Sequence, residues 1–211
     1  MWEELQQLWE RKEQILRVQP EIDGDCRSMN QASLNGLAGG PSTPFPYGSI
    51  HAEIPEASPA AVAICSVQEE IAEEDLAGRG LNTGPHHITL RYGVQGEAIS
   101  AIEALLATQG TIAATLCATS CFPPSATRDV AVIIATIECP ELHVLHQRLG
   151  EVIEFVEPTF ACEPHVTVAY VRPEVAEKYV GNQITAGHRF VISEAVIRTK
   201  SKGETTVTLN G

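Results

Sequence analysis

An α/β or α+β domain with a mixed sheet is the fold class this sequence predicts. Three observations predict it. Strand-like and helix-like segments alternate from about residue 48 to the end of the chain. A short strand pattern, His-aliphatic-Thr, occurs twice, roughly eighty residues apart. With 211 residues, 44% of them hydrophobic, the chain is long enough to bury a core of its own.

The elements follow in order. Residues 1–17 read as an amphipathic helix, with Trp2, Leu5, Trp9, Ile15 and Leu16 on one broad stripe, and form an arm ahead of the domain. Residues 18–47 lose all periodicity and are rich in Gly, Pro, Ser and Asn, the composition of a flexible linker. The domain then spans 48–211. Residues 49–54 alternate as a strand, and Ser58-Pro59 supplies an N-cap and first-turn proline for a helix to about Leu76. A strand at 86–92 and a helix at 97–108 come next, then strands at 111–118 and 129–138 flanking a proline loop. Pro140 opens a helix to about Phe155. A strand at 165–171, a short helix at 173–179 and a hairpin of 189–200 with 205–209 complete the chain.

Charge narrows the function. The chain carries 27 acidic and 14 basic residues, a formal net charge of −13, which repels a long phosphate backbone and excludes a polymer-tracking groove. No apolar run approaches 18 residues, so a transmembrane helix is not expected. The acidic start Met1-Trp2-Glu3-Glu4 lacks the basic region of a signal peptide, so a cytoplasmic location is expected. The six cysteines (Cys26, Cys65, Cys117, Cys121, Cys139 and Cys162) form no C-x-x-C pair and are expected to be free, mostly buried thiols.

The chemistry lies in the repeat. Pro85-His86-His87-Ile88-Thr89-Leu90-Arg91-Tyr92 and Pro164-His165-Val166-Thr167-Val168-Ala169-Tyr170 share His, Thr at +2 and Tyr at +5. Seven histidines and sixteen threonines give roughly half of one H-x-T by chance. Strand residues i and i+2 share a face, so His87 projects with Thr89, and His165 with Thr167. Ile88, Leu90 and Tyr92, with Val166, Val168 and Tyr170, are expected on the core face. If the strands are neighbours related by a pseudo-two-fold, two imidazoles and two hydroxyls converge. Such a cleft suits phosphodiester cleavage without metal or other cofactor: one neutral imidazole takes a proton and the other, protonated, gives one. The threonines hydrogen-bond the phosphate oxygens that gain charge.

These motifs resemble the 2H phosphoesterase superfamily over about residues 48–211. The resemblance implies a bilobal α+β 2H fold, a duplicated α/β unit with mixed or antiparallel sheets around a central cleft, and metal-independent phosphodiester chemistry, with His87, Thr89, His165 and Thr167 at the catalytic positions. His86 is an extra residue before the first motif histidine, but only His87 lies two before Thr89. The segments Glu73-Glu74-Asp75-Leu76-Ala77-Gly78, Pro85 to Gly93 and Glu163 to Tyr170 are similar to the phage-encoded anti-CBASS nuclease group. That similarity implies a viral enzyme, working in a bacterial host's cytoplasm, that destroys cyclic di- and trinucleotide messengers.

Composition fits a small substrate. Residues 48–211 hold 20 acidic and 10 basic side chains, unsuited to tRNA or mRNA, whereas a small cyclic oligonucleotide needs only a lined pocket. Arg91 shares the face of His87 and Thr89 by simple alternation and is a candidate substrate contact. Phe122 is a candidate lid or stacking residue, or else packs under its proline turn. The alternatives are a 2′,3′-cyclic phosphodiesterase acting on RNA ends or another small cyclic phosphate, and a non-catalytic nucleotide-binding or virion-assembly module. A zinc site on His86, His87 and His165 is a further rival. His143 and His146 read as a solvated helix face, His51 as surface and His188 as loop. The N-terminal helix is the segment to test for self-association.

Overall fold

The computed structural model describes residues 48–95, 99–125, 128–155, 162–199 and 203–210. The arm (1–17) and linker (18–47) lie outside the described residues, as does Cys26. Among the described residues no helix is long and apolar enough to cross a membrane.

The strands are β1 (Gly48–Glu53), β2 (Leu76–Leu81), β3 (His87–Val94), β4 (Ile112–Phe122), β5 (Ala131–Glu138), β6 (His165–Val171), β7 (Arg189–Ile192), β8 (Glu194–Thr199) and β9 (Gly203–Thr208). The helices are α1 (Pro59–Glu70), α2 (Ile99–Ala107) and α3 (Pro140–Val152), with 3-10 turns at Glu73–Asp75 and Pro173–Tyr179. The strands form one curled antiparallel sheet in the order β7-β4-β5-β6-β3-β1-β8-β9, with β2 also pairing with β6. The fold is therefore α+β, with two lobes meeting at β3 and β6.

The duplication is visible in the topology. β1-α1-β3 and β5-α3-β6 are each a strand, a helix and an antiparallel return strand. Each helix has proline in its first turn, where the missing N–H costs nothing; Ser58 also caps α1 by accepting from Ala61 N at 3.2 Å. The helices do not pack on their own units. α1 lies against β6 and β7, whereas α3 lies against β3. The core between sheet and helices includes Ile50, Ile64, Val67, Ile88, Leu145, Leu149, Val166 and Val168, none more than 1% exposed. Burying each such side chain contributes about 1.5–3 kcal/mol.

Several expected boundaries move. The first helix stops at Glu70, and an unforeseen strand, β2, follows where the helix was expected to end. Gly78 and Gly80 adopt left-handed φ of 58° and 69°, so β2 is irregular and carries no clean alternation that a period-2 reading detects. The 3-10 turn before it buries Asp75, whose carboxylate accepts from Tyr179 Oη (2.7 Å), Lys178 Nζ (3.0 Å) and Arg172 Nη2 (3.1 Å). Those bonds, Tyr179's foremost, hold the carboxyl below the usual carboxylate range. The expected strand 189–200 is two strands. The chain changes lobes at Ser193, β7 pairing with β4 while β8 pairs with β1 and β9. The described thiols are free, but only Cys139 is buried and Cys65 is exposed, so burial was overestimated.

Candidate active site

β3 and β6 run antiparallel with Ile88 opposite Val166. Continuing that register sets His87 across from Thr167, and Thr89 across from His165, so a pseudo-two-fold passes between the two motifs. His87 and Thr167 are partly exposed, as is His165, and Thr89 is exposed. The two histidines are anchored alike. His87 Nδ1 lies 3.1 Å from Pro85 O, and His165 Nδ1 lies 2.7 Å from Glu163 O, in each case the carbonyl two residues back. A carbonyl only accepts, so each Nδ1 donates and each Nε2 is left as the reactive nitrogen. The backbone repeats the symmetry: Ile54 N donates to His86 O at 2.8 Å, and Ile137 N to Pro164 O at 3.0 Å.

The faces beyond Thr89 and Thr167 differ from simple alternation. Against β1, Thr89 pairs with His51 and Arg91 with Ile50, so Leu90 is an extra residue. Against β5, Thr167 pairs with Ile134 and Ala169 with Ile133, so Val168 is extra. Each motif thus contains a β-bulge three residues after its histidine, and two consecutive residues are buried there: Leu90 with Arg91, and Val168 with Ala169. The bulge carbonyls are bonded by side chains from the facing helices. His146 Nδ1 of α3 donates to Leu90 O at 2.7 Å, and Gln68 Nε2 of α1 to Val168 O at 2.9 Å.

The bulges overturn two expectations. Arg91 is turned away from His87 and Thr89 to the helix side, beside Ile50. There it is 7% exposed, hydrogen-bonds His146 Nε2 and stands 3.3 Å over the Phe155 ring. His146 is accordingly half-buried against β3, not on a solvated face, while His143 is exposed. Tyr92 and Tyr170, expected in the core, move the other way. Cross-strand partners share a face, so Tyr92 opposite Ser49 and Tyr170 opposite Val132 lie with the motif histidines and threonines.

His86 is 9% exposed and its Nε2 lies 3.6 Å from Cys65 Sγ on α1. It faces away from His87, and among the described residues no group of three or more His, Cys, Asp or Glu could hold a metal ion. The zinc arrangement of His86, His87 and His165 is therefore not formed. His51, expected at the surface, is 3% exposed, its ring centroid 5.0 Å from that of His87. Burial, then the charges of Arg198 and His87, lowers its pKa to about 3. His51 lies within β1 opposite Thr89 of β3, and that pairing sets it on the face of the first motif.

Phe122 packs edge-on against His165, centroids 4.8 Å apart. Phe122 pairs with Val132 and His165 with Thr136, four residues apart along β5, or about 13 Å of strand. Ring contact over that span requires a concave face. Burial is the main cause that holds the His165 pKa below its ordinary value; the charges of His87 and Arg128 act the same way, against Glu163. Arg128, which the sequence reading did not single out, is fixed by bonds to Pro123 O (2.8 Å) and Val130 O (3.2 Å).

Comparisons with known proteins agree with this geometry. The sequence matches the 2′-5′ RNA ligase superfamily over residues 58–202. No curated protein sequence matches it. Among solved structures, Usb1 of Kluyveromyces marxianus is similar with a TM-score of 0.57 at 9% identity, covering 77% of this chain and 98% of that one. E. coli LigT complexed with 3′-AMP gives 0.51 at 16% identity, covering 78% and 95%. TT0787 of Thermus thermophilus gives 0.50 at 18%, also covering 78% and 95%. These likenesses establish the fold. With a family match over most of the chain and two H-x-T motifs set about a shared axis, this chain belongs to the 2′-5′ RNA ligase superfamily and is a phosphodiesterase of the 2H type.

Proposed function

We propose that the protein hydrolyses 3′–5′ bonds of cyclic di- and trinucleotide messengers without a metal, as a viral antagonist of bacterial cyclic-oligonucleotide (CBASS) immunity. The observation that carries the chemistry is the matched anchoring of His87 and His165, which presents two Nε2 atoms about one axis. His165, its pKa lowered by burial, favours its neutral form and serves as the base. It takes the proton of a ribose 2′-hydroxyl, whose oxygen attacks the adjacent phosphorus. His87 donates a proton to the departing 5′-oxygen. The linear product ends in a 2′,3′-cyclic phosphate, which water opens to a 3′-phosphate with the two histidines exchanging roles. Thr89 and Thr167 bond the non-bridging oxygens as charge develops. Arg128, close enough to depress His165, supplies the positive charge once assigned to Arg91.

The small-substrate reading is supported by the acidic chain, which offers local cations at Arg128 and Arg198 but no basic tract. The viral role is supported by the similarity of the motif segments to the anti-CBASS group. A second reading, 2′,3′-cyclic phosphodiesterase action on RNA ends, uses the same four residues and is favoured by the superfamily to which the chain belongs.

The test is a chromatographic assay in excess EDTA. It compares 3′,3′-cyclic dinucleotides and cyclic trinucleotides with RNA ending in a 2′,3′-cyclic phosphate, with a His87→Ala/His165→Ala control. Cleavage of the cyclic oligonucleotides, abolished in the control, is expected. Turnover of RNA ends alone establishes the second reading, and no turnover of either favours a binding module. Full activity on a 2′-deoxy analogue excludes the 2′-hydroxyl as nucleophile.

A further inference from the structure

We propose that Tyr92 and Tyr170 are a pair of base platforms, one on either side of the scissile phosphate, so that the site takes a phosphodiester carrying a nucleobase at both ends. The inference rests on the phosphodiester reading of the site and deepens it.

Four observations lead there. First, both tyrosines stand five residues after a motif histidine, and in both strands a bulge at the third residue turns them to the substrate face. Without the bulge each would be buried beside Ile88 or Val166, and the phase change is matched in the two motifs. Secondly, each bulge carbonyl is bonded by a helix side chain, His146 or Gln68, so the turn is held from behind. Two unrelated side chains thus perform the same task at equivalent places in the two halves. Thirdly, both rings are only half-buried, as a surface that accepts a ligand must be. Fourthly, the Arg79 guanidinium carbon stands 5.6 Å from the Tyr170 ring centroid, which adds a planar cation to that platform.

The spacing suits one nucleoside on each side. From Thr89 to Tyr92 the bulge absorbs one of three residues, leaving two strand steps, or about 7 Å. The same holds from Thr167 to Tyr170. Because β3 and β6 are antiparallel about Ile88 and Val166, Tyr92 lies beyond one end of the catalytic group and Tyr170 beyond the other. A phosphate held by the threonines would therefore direct its two nucleosides to opposite lobes. Base–aromatic stacking tolerates every base and changes affinity by roughly tenfold or more per base.

Calorimetric binding to the intact protein tests this, using d(ApA) and d(TpT) as two-base ligands and dAMP and dTMP as one-base ligands. At least one dinucleotide is expected to bind tenfold or more tightly than its mononucleotide. Tyr92→Leu and Tyr170→Leu, which keep an apolar side chain at each place, should each reduce that ratio to threefold or less. Tyr→Phe at either place should keep it within threefold of the wild type, because the ring does the stacking. Ratios within threefold for both ligand pairs in the wild type overturn the proposal, as does loss on substitution of one tyrosine only. If both platforms are found but cyclic dinucleotides are not cleaved, the messenger assignment falls and the platforms stand.

Discussion

Ile88 of β3 faces Val166 of β6, and this is the one registered pair through which the two strands that carry the H-x-T motifs meet. Both residues are essentially inaccessible, at 1% and 0% exposure. Everything reactive is arranged about that apolar contact: His87 and Thr167 on one side of it, Thr89 and His165 on the other, and each Nδ1 tied to the carbonyl two residues back.

The paired arrangement makes the histidines act as a unit. His87→Ala and His165→Ala should each lower kcat/KM by about 10²–10⁴ with the fold intact. The double variant should lose little more than the worse single one, because groups that work together are strongly non-additive. Steady-state rates on the best substrate of the EDTA assay check this. A single variant that keeps near wild-type activity would falsify the two-histidine reading.

The pH profile should be displaced to the acid side. Burial holds the His165 pKa below the ordinary 6.5, so the base stays neutral, and kcat/KM stays high, until the pH falls below that value. Phe122→Ala uncovers the ring, removes part of the leading cause and should move the acidic limb upward in pH. A profile that does not move shows that Phe122 does not control the base.

His51 should make the protein acid-sensitive. Its pKa is about 3 in the fold against 6.5 when unfolded, so between those values the unfolded chain binds a proton that the folded one does not. Stability contributed by neutral His51 is complete above pH 6.5 and declines as pH falls toward 3, by on the order of 5 kcal/mol at the acid end. Urea unfolding of wild type and His51→Leu at pH 4.5 and 7.5 reads the difference. The variant should show the smaller loss on acidification.

Arg91 should matter for stability rather than for substrate. Replacing it by Met breaks its bond to His146 and its stacking on Phe155 behind the sheet. Removing one partner of a buried polar pair costs about 1–3 kcal/mol, so the unfolding midpoint should fall. KM should stay within about threefold of wild type. A KM rise of tenfold or more with unchanged stability would place the guanidinium back at the cleft.

The alternation of strands and helices and the shared face of each His-Thr pair were legible because both depend on short-range periodicity. His, Thr and an aliphatic residue between them define a half-buried strand, and two copies define a duplicated cleft. Arg91 and Tyr92 were misassigned for one reason. Alternation presumes an unbroken strand, and the extra Leu90 reverses the face of all that follows. Nothing local announces such a bulge, because its carbonyl partner, His146, is 56 residues away. Val168 and Tyr170 repeat the lesson, the partner there being Gln68, 100 residues back. Arg128 escaped notice and His51 was assigned to the surface because their place beside the histidines comes from strand pairing, not from local pattern. The change of lobe at Ser193 leaves no gap in the strand pattern, so the sequence reads as one strand where two serve opposite lobes of the sheet.

The exchange of helices makes the two halves depend on each other. The strand bearing His87 is backed by a helix from the later half of the chain, and the strand bearing His165 by one from the earlier half. Cut between β4 and β5, neither fragment would carry the layer that covers its own motif. The apolar backing of each catalytic strand is thus supplied by the opposite half, so neither half of the cleft can be buried from behind until both halves have come together.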